Sequence, residues 1–553
     1  MNLRILMLTR FTWLLLFFLG FSLYGCGQQK RPANPNKDKA DTLAKDWNRT
    51  IPGSFSAQQE VVFDSVQLKA FFKKYPGFKT YAKQIRSFYQ SRNYSFAWFD
   101  GGKLIEQAGN LSNRVENIQN DGVYKKVPYR NALDSLLDET DTKTAKQPDV
   151  TLELMLTAQY FTFSNFAWEG MSTSASAADK WYLPRKKVSY RAYLDSVLKA
   201  PAKQFLADAP VYRQYELLRG FLRKYQALNT GNKWLPIAKT KKPLQPGDTA
   251  ATISQVKTRL YKLEDFRGDT LSPVYNDELA GALKQFQERH GLLADGLLNK
   301  ETYAALNVPL DDRIEQILVN MERSRWLPVK LSGDYVAVNI PDFKLYVYHA
   351  DSVLWNCKVV VGKTMHQTTV FYGEIKYVVF RPYWNVPKSI VRKEILPAIR
   401  KNGNYIARHN MEIIGYHDGL PDIRQKPGPE NSLGLVKFLF PNSYNIYLHD
   451  TPTKSLFGET TRAFSHGCIR IGEPTKMANF LLRNSKEWDA EKIDQAMHFG
   501  NERYVTLANK VPVYIAYFTA FVSRKGLLNF RNDIYNLDDH LASMIISGNG
   551  KYK

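Results

Sequence analysis

At Tyr335 the apolar period of the chain changes from that of a helix to that of a strand. The stretch "DYVAVNIPDFKLYVYHADSVLWNCKVVVGK" alternates apolar and polar residues and breaks near Ala350-Asp351, so it reads as strands joined by a turn. "EIKYVVFRPYWNVP", "YNIYLHDTP" and "VPVYIAYFTAFV" continue that period. Between them, "KSIVRKEILPAIRKNGNYIARHNMEIIG" has a helical and irregular pattern and interrupts the sheet as a cap would. The pattern predicts a mainly β domain over 334–516 with a helical or irregular insertion at about 386–420. A C-terminal extension, 517–553, is expected to pack on the β domain or on the helical region before it.

A chain of 553 residues is too long for one hydrophobic core. Residues 55–245 read as a helical scaffold domain. In "DVTLELMLTAQYFTFSNFAWEG", Leu152, Met155, Leu156, Tyr160 and Phe163 share one helix face, and Gly170 ends the pattern. These aromatic residues read as core, and no catalytic cluster stands among them. The Lys- and Pro-rich "AKTKKPLQPGD" is a linker. Over 251–307 three short helices are expected. Ile253, Val256, Leu260 and Leu263 share one face, Leu279, Leu283 and Phe286 another that stops at Gly291, and "DGLLNKETYAALN" supplies the third. The expected class is multidomain α+β.

The chain begins with Arg4 and Arg10, an apolar run from Phe11 to Leu19, and Leu23-Tyr24-Gly25-Cys26. A positive end, a short apolar core and a small residue before the cut read as a secretory signal over 1–26. Leu-x-Gly-Cys resembles the lipobox of bacterial lipoproteins, which would make Cys26 the lipidated residue and the membrane a partner. Ordinary cleavage and an uncleaved anchor stay open. Residues 27–54 are polar and Lys-rich and read as a tether. The expected location is the periplasm or cell envelope. A formal net charge of +23 suits an anionic partner, either a wall polymer or a membrane surface. There is no zinc knuckle, RNA-binding aromatic signature or concentrated Arg run that would favour nucleic acid. Many of these Lys residues equally suit a solvated surface.

The chain has three cysteines. With Cys26 used by processing, Cys357 and Cys468 remain. A disulfide is one reading for an exported protein. Cys357 sits in the strand-like "SVLWNCKVVVG" and reads as a small buried hydrophobe. Cys468 sits in "FSHGCIRI", beside residues that pack poorly, which favours a reactive thiol. A neutral thiol is a poor nucleophile, and a nearby imidazolium can lower its pKa. His466 is two residues away. His449 ends the strand-like "NIYLH", with fifteen residues between it and Ser465, so a returning loop brings it to Cys468 at the rim of the sheet. Gly467 lets backbone N–H groups approach a substrate oxygen. A zinc site would use two His and one Cys, but no further ligand stands at helical spacing. Papain-like wall peptidases place Cys before His, the reverse of the order here. Inert core packing of Cys468 is the remaining reading.

Two resemblances follow from these residues. "LKQFQERHGLLADGLLNKETYAALN" resembles the three-helix peptidoglycan-binding domain of wall enzymes, at Phe286-Gln287, Gly291-Leu292, Asp295-Gly296, Thr302 and Leu306-Asn307. These are mostly core and turn positions, so the module fits a spacer as well as a binder. His449 followed by Ser465-His466-Gly467-Cys468-Ile469-Arg470 resembles the active-site pattern of the L,D-transpeptidase family. "RPYWNVPKSI", "RQKPGPENSLGLVKFLFPN", "YLHDTP" and "FRNDIY" resemble its large branch, with scaffold, peptidoglycan-binding domain and capping insertion.

The resemblance implies that Cys468 attacks a tetrapeptide stem between its third residue and the terminal D-Ala. His449 would give D-Ala its proton. The acyl group would pass to the side-chain amine of another stem, making a 3→3 cross-link. No metal or organic cofactor is implied, and such thiols are also acylated by carbapenems. His466 would line the site or brace the loop. Arg470 and Arg424 would bind a stem carboxylate or pair with an internal acid. Ser465 belongs to the substrate-binding turn. Trp384 and Tyr447 would line the donor groove or pack as core. An L,D-carboxypeptidase using water, or a wall-tethering lipoprotein with a degenerate site, are the other readings.

Overall fold

The computed structural model describes residues 61–100, 102–142, 148–201, 209–231 and 234–546. The signal segment with Cys26, and the tether, lie outside the described residues. No helix among the described residues is long and apolar enough to cross a membrane.

The helical region packs around the Val150–Phe163 helix. The sequence pattern gave this helix one apolar face. Instead it is buried on every side from Leu152 to Phe163, because helices on both sides cover it. Its buried carboxylate is satisfied internally. Glu153 accepts from Ala97 N–H (2.7 Å), Trp98 N–H (3.0 Å) and the Tyr89 hydroxyl (2.7 Å), as a buried carboxyl requires. The helical core does not end at 245 as expected. The Leu310–Trp326 helix contributes Leu310, Ile314, Ile317, Leu318 and Met321 to it. That helix has a second apolar face, Val319 and Trp326, which packs on the sheet domain. It therefore joins the two bodies.

Helices Ala251–Lys262, Asp277–Arg289 and Lys300–Leu306 form the small module, with Ile253, Val256, Leu260, Leu279, Leu283 and Phe286 fully buried together.

The sheet domain contains strands β1 (Trp181–Tyr182), β2 (Asp334–Asn339), β3 (Lys344–His349), β4 (Ser352–Gly362) and β5 (Val370–Phe380). After them come β6 (Trp384–Asn385), β7 (Met411–His417), β8 (Leu420–Gln425), β9 (Val436–Leu439), β10 (Leu448–His449), β11 (Ala463–Ser465), β12 (Ile469–Ile471) and β13 (Arg503–Ala516). The large mixed sheet runs β9-β10-β12-β4-β3-β2-β13-β5-β1, with β11 on β4, and β9 also pairs with β5, so the path closes on itself. The alternation of apolar residues puts Val336, Val338, Leu345, Val347, Val359, Val361, Val513 and Ile515 on the inner face, all fully buried. Burying each such side chain is worth about 1.5–3 kcal/mol. Cys357 belongs to this core, and both Cys357 and Cys468 are free thiols.

The insertion spans Trp384 to Gln425, wider than 386–420, and only its first half is helical. From Met411 it is strand: β6, β8 and β7 form a separate three-stranded sheet. The hairpin turn is Asp418-Gly419, both at positive φ (51° and 71°), the pairing a tight two-residue hairpin demands. Val386, Ile390, Val391, Ile395, Met411 and Ile423 make its small core. The extension after 516 packs on both neighbours. A hairpin of β14 (Ala520–Val522) and β15 (Leu528–Phe530) enters the helical core, and the Asp538–Ile546 helix enters the sheet core.

Candidate active site

β10 and β12 run parallel, with Leu448 opposite Ile469 and His449 opposite Arg470. Leu448, Ile469 and Ile471 point inward and are fully buried. Because side chains alternate, Tyr447, His449, Cys468 and Arg470 share the outer face. The Ile469 N–H donates to Tyr447 O at 3.1 Å, which extends the ladder and sets Cys468 across from Tyr447.

The Cys468 turn is built by Ser465. Its hydroxyl donates to Cys468 O (2.5 Å) and accepts from Gly467 N–H (3.1 Å). Ser465 is thus a buried brace of the turn. Of the backbone N–H groups that Gly467 was expected to bring near a substrate oxygen, its own is already held by Ser465. The Cys468 N–H has no protein partner among the described residues and is the available donor in the turn. Gly467 is required for a different reason: its φ of +117° is open to glycine at little cost.

A second brace comes from sequence positions that motif reading did not single out. Thr368 Oγ1 donates to Gly467 O (2.8 Å) and accepts from Gly362 N–H (2.9 Å). Thr368 N–H donates to the Tyr535 hydroxyl (3.1 Å), which itself donates to Gly362 O (2.6 Å). The C-terminal extension therefore fixes the Cys468 turn. Tyr535 lies within "FRNDIY", so a signal was present without a role attached.

The Cys468 sulfur is partly open to solvent and donates to Asn445 O (3.5 Å). The Tyr447 hydroxyl is within hydrogen-bonding reach of it. Burial pushes the thiol up, while Tyr447 and Arg470 oppose that shift. His449 is buried, and its Nδ1 donates to Asp450 O at 2.5 Å. A carbonyl only accepts, so the proton sits on Nδ1 and a neutral ring keeps its lone pair on Nε2. Burial first, then the Arg470 charge, pushes His449 down to about 3. At neutral pH this imidazole is therefore uncharged and does not lower the thiol pKa as an imidazolium would. Nor are the two groups direct partners in this resting arrangement. The sulfur's polar neighbours are Asn445, Tyr447 and Arg470, and His449 faces Arg470, Asp450 and Leu433. They lie diagonally on one face.

Asp450 is held in turn by Leu435 N–H (2.9 Å) and Lys454. Gly434, at φ +62°, makes room for it: a Cβ there would lie 2.3 Å from Asp450 Oδ2.

Arg470 forms no ion pair among the described residues, and its buried Nε has no hydrogen-bond partner. Pairing with an internal acid is thus ruled out for it. Arg424 does the opposite. It bonds Glu412 (2.5 Å) and stacks over Tyr383 (4.3 Å) inside the insertion, as an internal pair. Trp384 is half-buried against the insertion core, opposite Gln425. His466 Nε2 pairs with Glu394 Oε1 at 2.8 Å, which ties the Cys468 turn to the insertion. No group of three His, Cys, Asp or Glu among the described residues is arranged to hold a metal ion.

Residues 333–513 match the family described as "L,D-transpeptidase catalytic domain". They contain the whole of this face. This region is similar to L,D-transpeptidase catalytic domains. Ahead of the transpeptidase domain, residues 83–222 match a "Scaffold domain" and residues 249–306 a "Putative peptidoglycan binding domain". A curated relative of Haemophilus influenzae, named "Putative L,D-transpeptidase", is 30% identical over 240 residues, 40% of this chain and 48% of the relative. The chain thus spans about half the length of the curated relative it matches. Two crystallised L,D-transpeptidases, of Xylanimonas cellulosilytica and Stackebrandtia nassauensis, are each 15% identical over 50% of this chain. They are covered over 100% and 97% of their own length, with TM-scores of 0.17 and 0.22, too low to weigh on the transpeptidase domain's fold or site.

Proposed function

We propose that the protein is a cysteine-dependent L,D-transpeptidase acting on peptidoglycan in the cell envelope, held at the membrane through Cys26. The observation that carries this reading is the shared outer face of Tyr447, His449, Cys468 and Arg470 on β10 and β12.

In the first half-reaction the Cys468 sulfur bonds to the carbonyl carbon between the third stem residue and D-Ala. The thiol proton passes to Nε2 of His449, and the oxyanion takes the Cys468 N–H. The C–N bond then breaks, the proton moves from His449 to the leaving amine, and D-Ala departs from a thioester. In the second half, an acceptor amine attacks the thioester, loses its proton to His449 and releases the thiol, giving a 3→3 link. A neutral His449 suits this cycle, because it accepts a proton at attack and returns it at departure. Arg470, lacking an acidic partner beside the sulfur, is the group for a stem carboxylate.

Muropeptide mass spectrometry on purified stems tests this. The wild type should release D-Ala and form 3→3 dimers, and Cys468→Ala should do neither. Dimers made at the normal rate by that variant sink the mechanism, and tripeptide without dimers moves the assignment to an L,D-carboxypeptidase.

A further inference from the structure

A cleft of about 690 Å³ lies where the transpeptidase sheet, the three-helix module and the scaffold meet. None of the residues described in the active site lines it. Its floor is a tyrosine surface. Tyr335 and Tyr348 are cross-strand partners stacked at 4.7 Å with 5° between their planes. Tyr514 packs edge-on to Tyr335 at 5.9 Å, and Tyr346 lies 6.2 Å from Tyr348. Flat, fixed rings lining a cleft between domains suit a ligand with an apolar face, such as a sugar ring.

The rim is cationic. Arg213 comes from the scaffold, Lys284 from the module, Lys344 from β3, and Arg524 and Lys525 from the C-terminal hairpin. None of the five forms an ion pair among the described residues. Arg289 and Arg531 also line the cleft but are spent on Asp265 and Asp342. Glu288 is the one acidic lining residue. Unpaired cations from four separate segments, converging over aromatic rings, ask for an anion.

The cleft and the active site share one face of the sheet. Asn356, in the cleft, pairs with Tyr346, and Arg470 pairs with Val360. Residues 356 and 360 of β4 point to the same side. Four residues of strand, about 13 Å, separate them.

We propose that this cleft binds a stretch of the glycan strand of peptidoglycan whose stems have been removed, with sugar rings on the tyrosine floor and the freed lactyl carboxylates on the cationic rim. This rests on the transpeptidase reading: a partly denuded strand seated there carries its remaining stems along the face that leads to Cys468.

The probe is a peptide-free glycan oligosaccharide that retains its lactyl carboxylates, titrated into the full chain with Cys468 carbamidomethylated. Binding should weaken as salt rises. It should fall at least tenfold in the Arg524→Glu/Lys525→Glu variant, whose exposed tip positions spare the fold. Amide hydrogen exchange of the unsubstituted chain should slow over 522–529 when the probe binds. Equal binding by the variant, protection confined to other faces, or no binding at millimolar probe overturns the proposal. D-Ala release from a disaccharide tetrapeptide by the untreated enzyme is measured alongside. If release occurs without glycan binding, the cleft assignment alone falls. If the wild type releases none, the transpeptidase reading falls and takes this proposal with it.

Discussion

His449 and Arg470 occupy the same register position of the parallel β10–β12 ladder. Burial first, and then the guanidinium opposite it, keeps the His449 imidazole neutral, while the same guanidinium favours a thiolate at Cys468. Removing it by Arg470→Gln should move both groups upward. Iodoacetamide alkylation of Cys468 at pH 8 should slow severalfold, and the His449 ring should titrate at higher pH by NMR. An unchanged alkylation profile would show that Arg470 does not act on the sulfur.

Acid stability carries the mark of His449. Its folded pKa of about 3 lies below the unfolded value of about 6.5. Between these values the unfolded chain binds the proton and the folded chain does not, so stability rises with pH across that window and is lost on acidification. His449→Gln should shrink the fall in melting temperature between pH 7 and pH 4.5. A fall as large as that of the wild type would mean that other groups govern the acid limb.

His449 and His466 should separate kinetically. Loss of a general base costs on the order of 10²–10⁴ in rate. Carbapenem acylation by His449→Ala should be slow near neutrality and recover partly at high pH, where the thiol ionises unaided. His466 is already engaged with Glu394, and that pair is partly exposed and weak. His466→Ala and Glu394→Gln should therefore act alike, loosening the insertion in hydrogen exchange and slowing acylation far less. The reverse ranking would assign the base to His466.

Tyr535→Phe removes a hydroxyl that serves Thr368 N–H and Gly362 O. Two buried backbone groups then lose a partner, at about 1–3 kcal/mol. Scanning calorimetry should show the transpeptidase domain melting several degrees lower, with altered Cys468 alkylation, since Thr368 also holds Gly467 O. A variant with unchanged melting and alkylation would disconnect the extension from the nucleophile turn.

The strands of the sheet domain, the three-helix module and the identity of Cys468 and His449 as candidate groups were legible from period and motif. Alternation writes which face of a strand is buried, and a histidine followed at loop distance by Ser-His-Gly-Cys is a local string. The hairpin at Asp418-Gly419 was also legible, through its turn dipeptide, but the helical run before it masked it. The double-sided helix Leu310–Trp326 was not, because apolar residues on two faces blur the period that marks one.

By itself the sequence determined the periodic elements, the composition of the inner sheet face and which thiol is chemically exposed to use. Only the tertiary structure decided the partners. Among the described residues Arg470 has no acidic partner and Arg424 has one, although both are arginines near carboxylates in sequence. Gly467 N–H belongs to Ser465, and Tyr535, 67 residues beyond Cys468, braces the turn. The charge state of His449 follows from burial and from a strand neighbour 21 residues away. Such properties depend on distance in space and on access of water, and neither is written in the order of residues.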